Sequence, residues 1–291
     1  MTAPKRADLS VANARNRRRQ GFFMALPAYA YLIVFFAIPL GIVVVYSFAT
    51  RNRFGGTDLS GWNLDSYVRL ADPVLRNILL RSLTLALLTT VICLLVAYPF
   101  SYFLATRTPA VRNILLVFVM IPFWSNFLVR NYSWRILLGS DGPISQLTQV
   151  LGLGETRILF TPTAIVLGLV YGFLPFMILP LYASMERLDW SLVEAARDLG
   201  ATGFQTLRKV TIPLSMPGVI AGSILVFIPS FGAFVTPEIL GGGREVLLGS
   251  FIVSQFLEAR NWPVGAATST VLMAVMLVCA LLYFRKGGRT L

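Results

Sequence analysis

The 291-residue chain is 56% hydrophobic and only 13% charged, about half the charged fraction of an ordinary soluble domain. Its net charge of +12 comes from 25 Lys and Arg against 13 Asp and Glu. Histidine is absent, which removes Ser-His nucleophile pairs and His-ligated metal sites.

Six stretches are free of charge: 20–50, 82–106, 113–129, 158–185, 211–237 and 261–284. All but the third exceed the roughly 20 apolar residues that cross a bilayer, and the third sits at the lower limit of about 17. A lipid-immersed segment must satisfy its own backbone hydrogen bonds, so each reads as a helix. The ten-residue alternation of a membrane barrel is missing. The fold class expected is an all-α membrane protein with six transmembrane helices.

In chain order, residues 1–20 form a polar, basic arm ahead of a membrane domain, 21–291. The first span, 22–48, holds Pro27 and Pro39 and should kink. Its apolar stretch is too long for the core of a removable signal peptide. A long loop with Trp62 leads to the second span, 78–104. A turn through Arg107 and Pro109 precedes the third, 113–129. Arg130, Tyr132, Trp134 and Arg135 follow, then a Gly-Ser-Asp-Gly-Pro turn at 139–143. The fourth span, 163–185, contains Pro175 and Pro180, and the loop 186–216 connects it to the fifth, 217–235. Between 236 and 262 lies a twelve-residue apolar run, 246–257, too short to span and read as interfacial or re-entrant. The sixth span is 263–284. Cys93 and Cys279 fall inside spans and read as small apolar residues, not disulfide partners.

Charge sets the orientation. Fifteen of the 25 basic residues lie in the arm, the 107–112 turn, the 186–216 loop and the tail, with only five of the 13 acidic ones. The excess of Lys and Arg on these segments places them, and both termini, on the cytoplasmic side. A basic face beside anionic lipid headgroups accounts for the net charge without a nucleic-acid partner.

The loop 186–216 has its own grammar. Ser191 and Glu194 suit a capping box, and Leu192, Ala195, Ala196 and Leu199 fall at i, i+3, i+4 and i+7 on one face. Gly200 suits a left-handed cap, after which Ala201 leads into a second box, Thr202 with Gln205. Phe204, Leu207 and Val210 give the next apolar face, and Pro213, after Ile212, should end that helix. Small alanines permit close docking of a partner. An amphipathic loop lying at the lipid interface is the other reading of the same pattern.

Glu194-Ala195-Ala196, three residues, Gly200, nine residues, Val210, one residue, then Ile212-Pro213 resembles the docking loop of binding-protein-dependent ABC import permeases. Val and Ile here stand where that pattern has Ile and Leu. The likeness spans about residues 22–284 and implies the type I importer fold, with a core of about 78–284 and the first span wrapped outside. It also implies that Glu194, Ala195, Ala196, Gly200, Ala201, Val210, Ile212 and Pro213 contact ABC ATPase subunits. Glu194 has a second reading, as an intrahelical cap. No Walker A loop occurs in the sequence. ATP and Mg are therefore expected on a partner chain, with no cofactor here. The other implied partners are a second, similar permease and a periplasmic substrate-binding protein, and the implied location is the bacterial inner membrane.

Asn131-Tyr132-Ser133-Trp134, the run 230–238 and Asn261-Trp262-Pro263 look most like the B-type permeases of spermidine/putrescine importers. Permeases for iron or sulfate share some of this pattern. A flexible polycation suits a path with aromatic faces, each cation–π contact contributing roughly 0.5–2 kcal/mol. The candidates are Trp124, Tyr132, Trp134, Tyr171, Phe231 and Phe234, with Glu238 as the carboxylate; packing and an interfacial aromatic belt are the plainer roles for such rings. Arg130 and Arg135 count against a purely cation-friendly mouth. An ion-driven carrier or an intramembrane enzyme would need charged groups within the spans, and these charge-free segments supply none.

Overall fold

The computed structural model describes residues 25–52, 56–150 and 157–287; the arm 1–20 and the end of the tail lie outside them. Helix α1 (Ala25–Ser47) is followed by a two-stranded hairpin, β1 (Thr50–Arg51) and β2 (Thr57–Asp58), and a short α2 (Asp65–Leu70). Helix α3 (Pro73–Ala105) starts at Pro73, where Asp72 accepts a hydrogen bond from the Val74 N–H at 2.8 Å. This cap lies before the expected start at residue 78, because capping chemistry and not hydropathy sets the first turn.

The third span ends earlier than the charge-free stretch. Helix α4 (Pro109–Trp124) stops, and α5 (Phe127–Leu137) leaves it at 90°. Ser125 is extended, and the Asn126 carboxamide oxygen accepts from the Leu128 and Val129 N–H groups. The Arg130 guanidinium donates to the Phe123 and Ser125 carbonyls at 3.2 and 3.0 Å, serving the orphan end of α4. Apolar composition runs straight through this corner, which is why the sequence reads as one helix to residue 129. Helix α6 (Pro143–Val150) completes this side.

Helix α7 (Pro162–Glu186) is capped by Thr161 and continues through Pro175 and Pro180. After α8 (Ser191–Asp198) comes α9 (Gly203–Phe231), then α10 (Val235–Gly241), α11 (Leu248–Leu257) and α12 (Trp262–Gly287). The apolar run at 246–257 thus contributes a ten-residue helix, too short to cross a bilayer. Among the described residues five helices are long and apolar enough to span, and the bent pair α4–α5 makes a sixth if it counts as one span.

The core is the triple contact of α3, α7 and α9. Cys93, Ala97 and Leu104 meet Met177, Leu181, Met185 and Val226 there, all essentially without exposure. Lipid tails are as apolar as leucine, so close packing has to hold such helices together. Gly218 and Gly222 supply it: a Cβ at Gly218 would lie 2.7 Å from the Pro180 carbonyl oxygen, and one at Gly222 2.7 Å from Met177 Sδ. Helix α12 packs on α1 and α11, and the apolar window of α1 buries none of its residues.

Candidate functional site

The loop between α7 and α9 is built from local hydrogen bonds. Asp189 Oδ1 accepts from the Ser191 hydroxyl at 2.7 Å and from its N–H at 3.0 Å. Those bonds, the hydroxyl's first, hold the Asp189 carboxyl below its ordinary value. The box expected between Ser191 and Glu194 is not formed, because Ser191 is already inside α8 and the Glu194 N–H bonds the Trp190 carbonyl at 3.1 Å; the Asp189 carboxylate holds the first turn instead. Glu194 therefore stands exposed in the first turn of α8, without the capping role.

At the other end of α8, Gly200 adopts φ +84°. Its N–H bonds the Arg197 carbonyl at 2.9 Å, and the Ala201 N–H bonds that of Ala196 at 3.0 Å. These 5→2 and 6→1 bonds form a Schellman motif, and the positive φ is what glycine permits there. Thr202 and Gln205 then form the expected capping box. Pro213 does not end the second helix. Residues Leu207–Thr211 form a π-turn in which the Ile212 N–H reaches back to the Leu207 carbonyl. The widened turn brings Pro213 to the start of a fresh α-helical register, where its missing N–H does no harm. Val210, Ile212 and Pro213 thus lie in the continuous helix α9, joining loop to span.

The apolar stripe of α8 faces away from the bundle. Val193 is the residue that packs inward, while Leu192, Ala195 and Leu199 are exposed, Leu199 by 89%. Phe204, at 70%, continues this surface, and Arg208 and Lys209 flank it. Ala196 and Ala201 are half-buried beneath. Trp190 packs edge-on to Tyr102 of α3 at 5.7 Å, and Arg112 of α4 pairs with Glu186 of α7 at 2.8 Å. An apolar face surrounded by charge and fastened to three spanning helices is suited to transmit a partner's movement.

The opposite end gathers some of the predicted aromatics and scatters others. Trp134 packs edge-on to Tyr171 at 5.4 Å, and the Arg130 guanidinium lies 5.9 Å from the Tyr171 ring centre. Arg135 and Arg244 approach the Phe160 ring. Trp124 at the corner is 81% exposed, and Tyr132, Phe234 and Glu238 are also exposed. Phe231 is only 2% exposed and stacks on Phe227 at 5.7 Å beside Ala86 and Leu248. In this arrangement Phe231 is a packing residue that meets no open path. Glu245 pairs with Arg81 at 3.1 Å, whereas Glu238 has no ion-pair partner among the described residues. Arg130, serving the corner carbonyls, is a structural cation here.

Residues 97–285 match the model of the family described as binding-protein-dependent transport system inner membrane components. The chain belongs to that family. This permease is 44% identical over 266 residues to the spermidine/putrescine transport system permease protein PotB of Escherichia coli K12, covering 91% of this chain and 96% of the other. Against PotB of Haemophilus influenzae it is 41% identical over 263 residues, covering 89% and 91%. A solved bacterial ABC transporter that imports the acidic polysaccharide alginate superimposes on 97% of the permease and 99% of its own chain, with a TM-score of 0.72 at 16% identity. That likeness concerns the fold: the architecture is that of ABC importer permeases.

The G-x-x-x-G spacing of Gly218 and Gly222 was open to view in the sequence, and it marks where α9 crosses α7. The tether of Arg112 to Glu186 and the outward turn of Leu199 depend on the tertiary arrangement and had no sequence signal.

Proposed function

We infer that this permease is one half of the translocation path of an ATP-driven importer of spermidine and putrescine, assembled with a second, similar permease. The observation that carries the cargo is the near-full-length likeness to permeases named for those two polyamines. The exposed rings of Trp124 and Tyr132, with Glu238, which has no ion-pair partner among the described residues, supply chemistry that suits an ammonium group.

In this reading the inner ends of the spans carry the 186–216 loop into the cytoplasm, where Leu192, Ala195, Leu199 and Phe204 dock on an ABC ATPase that holds ATP and Mg. A periplasmic binding protein delivers the polyamine at the opposite end. Closure of the ATPase pair draws the two docking loops together, and α9, continuous with the loop, moves with them. The cavity between the permeases then opens outward. Affinity resides mainly in the binding protein, so a path without buried charge is sufficient.

The test is uptake of labelled spermidine and putrescine by the full complex in vesicles. Strictly ATP-dependent uptake of at least one is expected, with little competition from sulfate or ferric iron. A complex that hydrolyses ATP but takes up neither polyamine overturns the cargo. Uptake without the ATPase subunit overturns the energy source in favour of an ion-driven carrier.

A further inference from the structure

A cavity of about 620 Å³ opens between α3 and α9 beside the docking loop. Its walls include Leu95, Tyr98 and Tyr102 on α3 and Met216 and Val219 on α9, and its one charged lining residue is Arg197 of α8. The α9 wall runs from Gly203 to Val219, roughly 24 Å at 1.5 Å per residue. The α3 wall, Leu94 to Tyr102, is roughly 12 Å. One leaflet of hydrocarbon is roughly 15 Å deep. The groove therefore runs from the loop to about the middle of the membrane, apolar along its length and cationic at the loop end.

We propose that an anionic phospholipid occupies this groove, its acyl chain along Leu95, Met216 and Val219 and its phosphate on Arg197. A guanidinium presents paired donors that match phosphate oxygens, and it meets this ligand where water gives way to hydrocarbon. A helix of the second permease is the competing occupant. Helices associate in lipid through small residues, and this chain's close-packing pair, Gly218 and Gly222, is already spent on α7. The groove offers bulky Leu, Tyr and Met side chains around a hollow, a shape suited to a flexible chain. Its walls belong to all three parts of the loop–span junction: α8, the π-turn through Leu207, and α3. A bound lipid would brace the docking loop against the span it moves.

The proposal rests on the chain spanning a membrane and not on the cargo, so its readout is bound lipid. The purified full complex is incubated with equal amounts of phosphatidylglycerol and phosphatidylcholine and weighed intact by native mass spectrometry. Both lipids carry the phosphate, but choline adds a cation beside Arg197, so wild type is expected to retain phosphatidylglycerol over phosphatidylcholine by about 2- to 5-fold, the scale of one exposed charge interaction. Leu95→Trp with Met216→Trp should fill the groove and lose that lipid. Arg197→Gln should keep a lipid while losing the headgroup preference. A photoactivatable phosphatidylglycerol should label peptides around 94–102 and 212–219 of this chain. Undiminished phosphatidylglycerol in the double Trp variant, or unchanged preference in Arg197→Gln, overturns the assignment. Should the Trp variant fail to assemble, Arg197→Gln decides alone. Crosslinking of Leu95→Cys to the second permease instead would make the groove a protein interface and overturn the proposal equally.

Discussion

The two ends of this permease are organised by opposite rules. At the loop end, a short contiguous segment makes almost all its own bonds: the Asp189 cap, the Gly200 turn, the Thr202–Gln205 box and the π-turn before Pro213. What it leaves unsatisfied is an apolar face. At the other end, Trp124, Tyr132, Trp134, Tyr171, Phe234 and Glu238 come from α4, α5, α7, α10 and the turn before α10, and few of them touch. A rigid local unit can transmit force to a partner. A dispersed set of rings can offer weak successive contacts to a passing solute. Under the proposed function, motion would be concentrated in one segment and recognition spread across the bundle.

Substitutions at and between the two ends test that contrast. The largest effect is expected between the two ends. Gly222→Leu would drive side-chain atoms into the Met177 side chain and backbone, where even a Cβ sits 2.7 to 3.3 Å from them. The permease should fail to accumulate in the membrane, seen by immunoblot of membrane fractions. Normal amounts would show that α7 and α9 need not cross closely.

Next comes the docking face. Leu199→Glu with Phe204→Glu alters only exposed positions, so the protein should insert normally, lose the ATPase on purification and transport at about a tenth of wild type or less. Gly200→Asp should act likewise. No atom lies within 4 Å of a Cβ at Gly200, so the cost to this chain is backbone strain of about 1 kcal/mol, and the damage falls on the partner contact. Wild-type transport by Gly200→Asp would remove the coupling role from the loop.

At the aromatic end single changes should be mild, as a dispersed site requires. Trp124→Ala is expected to raise the KM for spermidine by about 2- to 30-fold, the span of one cation–π contact, and Glu238→Gln by up to about 5-fold, the scale of an exposed ion pair. Phe231→Leu, a change inside the core, should alter stability more than KM. A hundredfold KM effect at one ring would show a concentrated site and break the comparison.

The smallest effect concerns Asp189. Its folded carboxyl is depressed, so the cap is complete above the ordinary carboxylate range and is lost as pH falls through the lowered value. Amide protection at residues 189–194, taken relative to the intrinsic exchange rate at each pH, should therefore fall at acid pH. Asp189→Asn should flatten that pH dependence with little change in transport at neutral pH, and an unaltered exchange profile in the variant would show that another group caps α8.

How much was legible depends on the range of the interactions. Gly200 and the Thr202–Gln205 box could be read directly, because each is settled within a few residues. The Ser191–Glu194 box misled because α8 starts at Ser191, so the Glu194 N–H already has the Trp190 carbonyl. Pro213 misled because a π-turn changes which carbonyls need partners. The break at Ser125 was hidden by apolar residues on both sides of Asn126, and hydropathy does not register a cap.

Sequence alone was enough for the membrane environment, the approximate spans and the helix–turn–helix of the 186–216 loop, since these follow from transfer to hydrocarbon and from backbone chemistry within one or two turns. Only the tertiary structure decided which face of α8 looks outward, that Phe231 is buried while Trp124 is open, and where α3 and α9 part to leave a groove. Those outcomes depend on how close helices remote in sequence can approach. Gly218, Gly222 and their neighbours on α7 set that distance, and no local rule contains it.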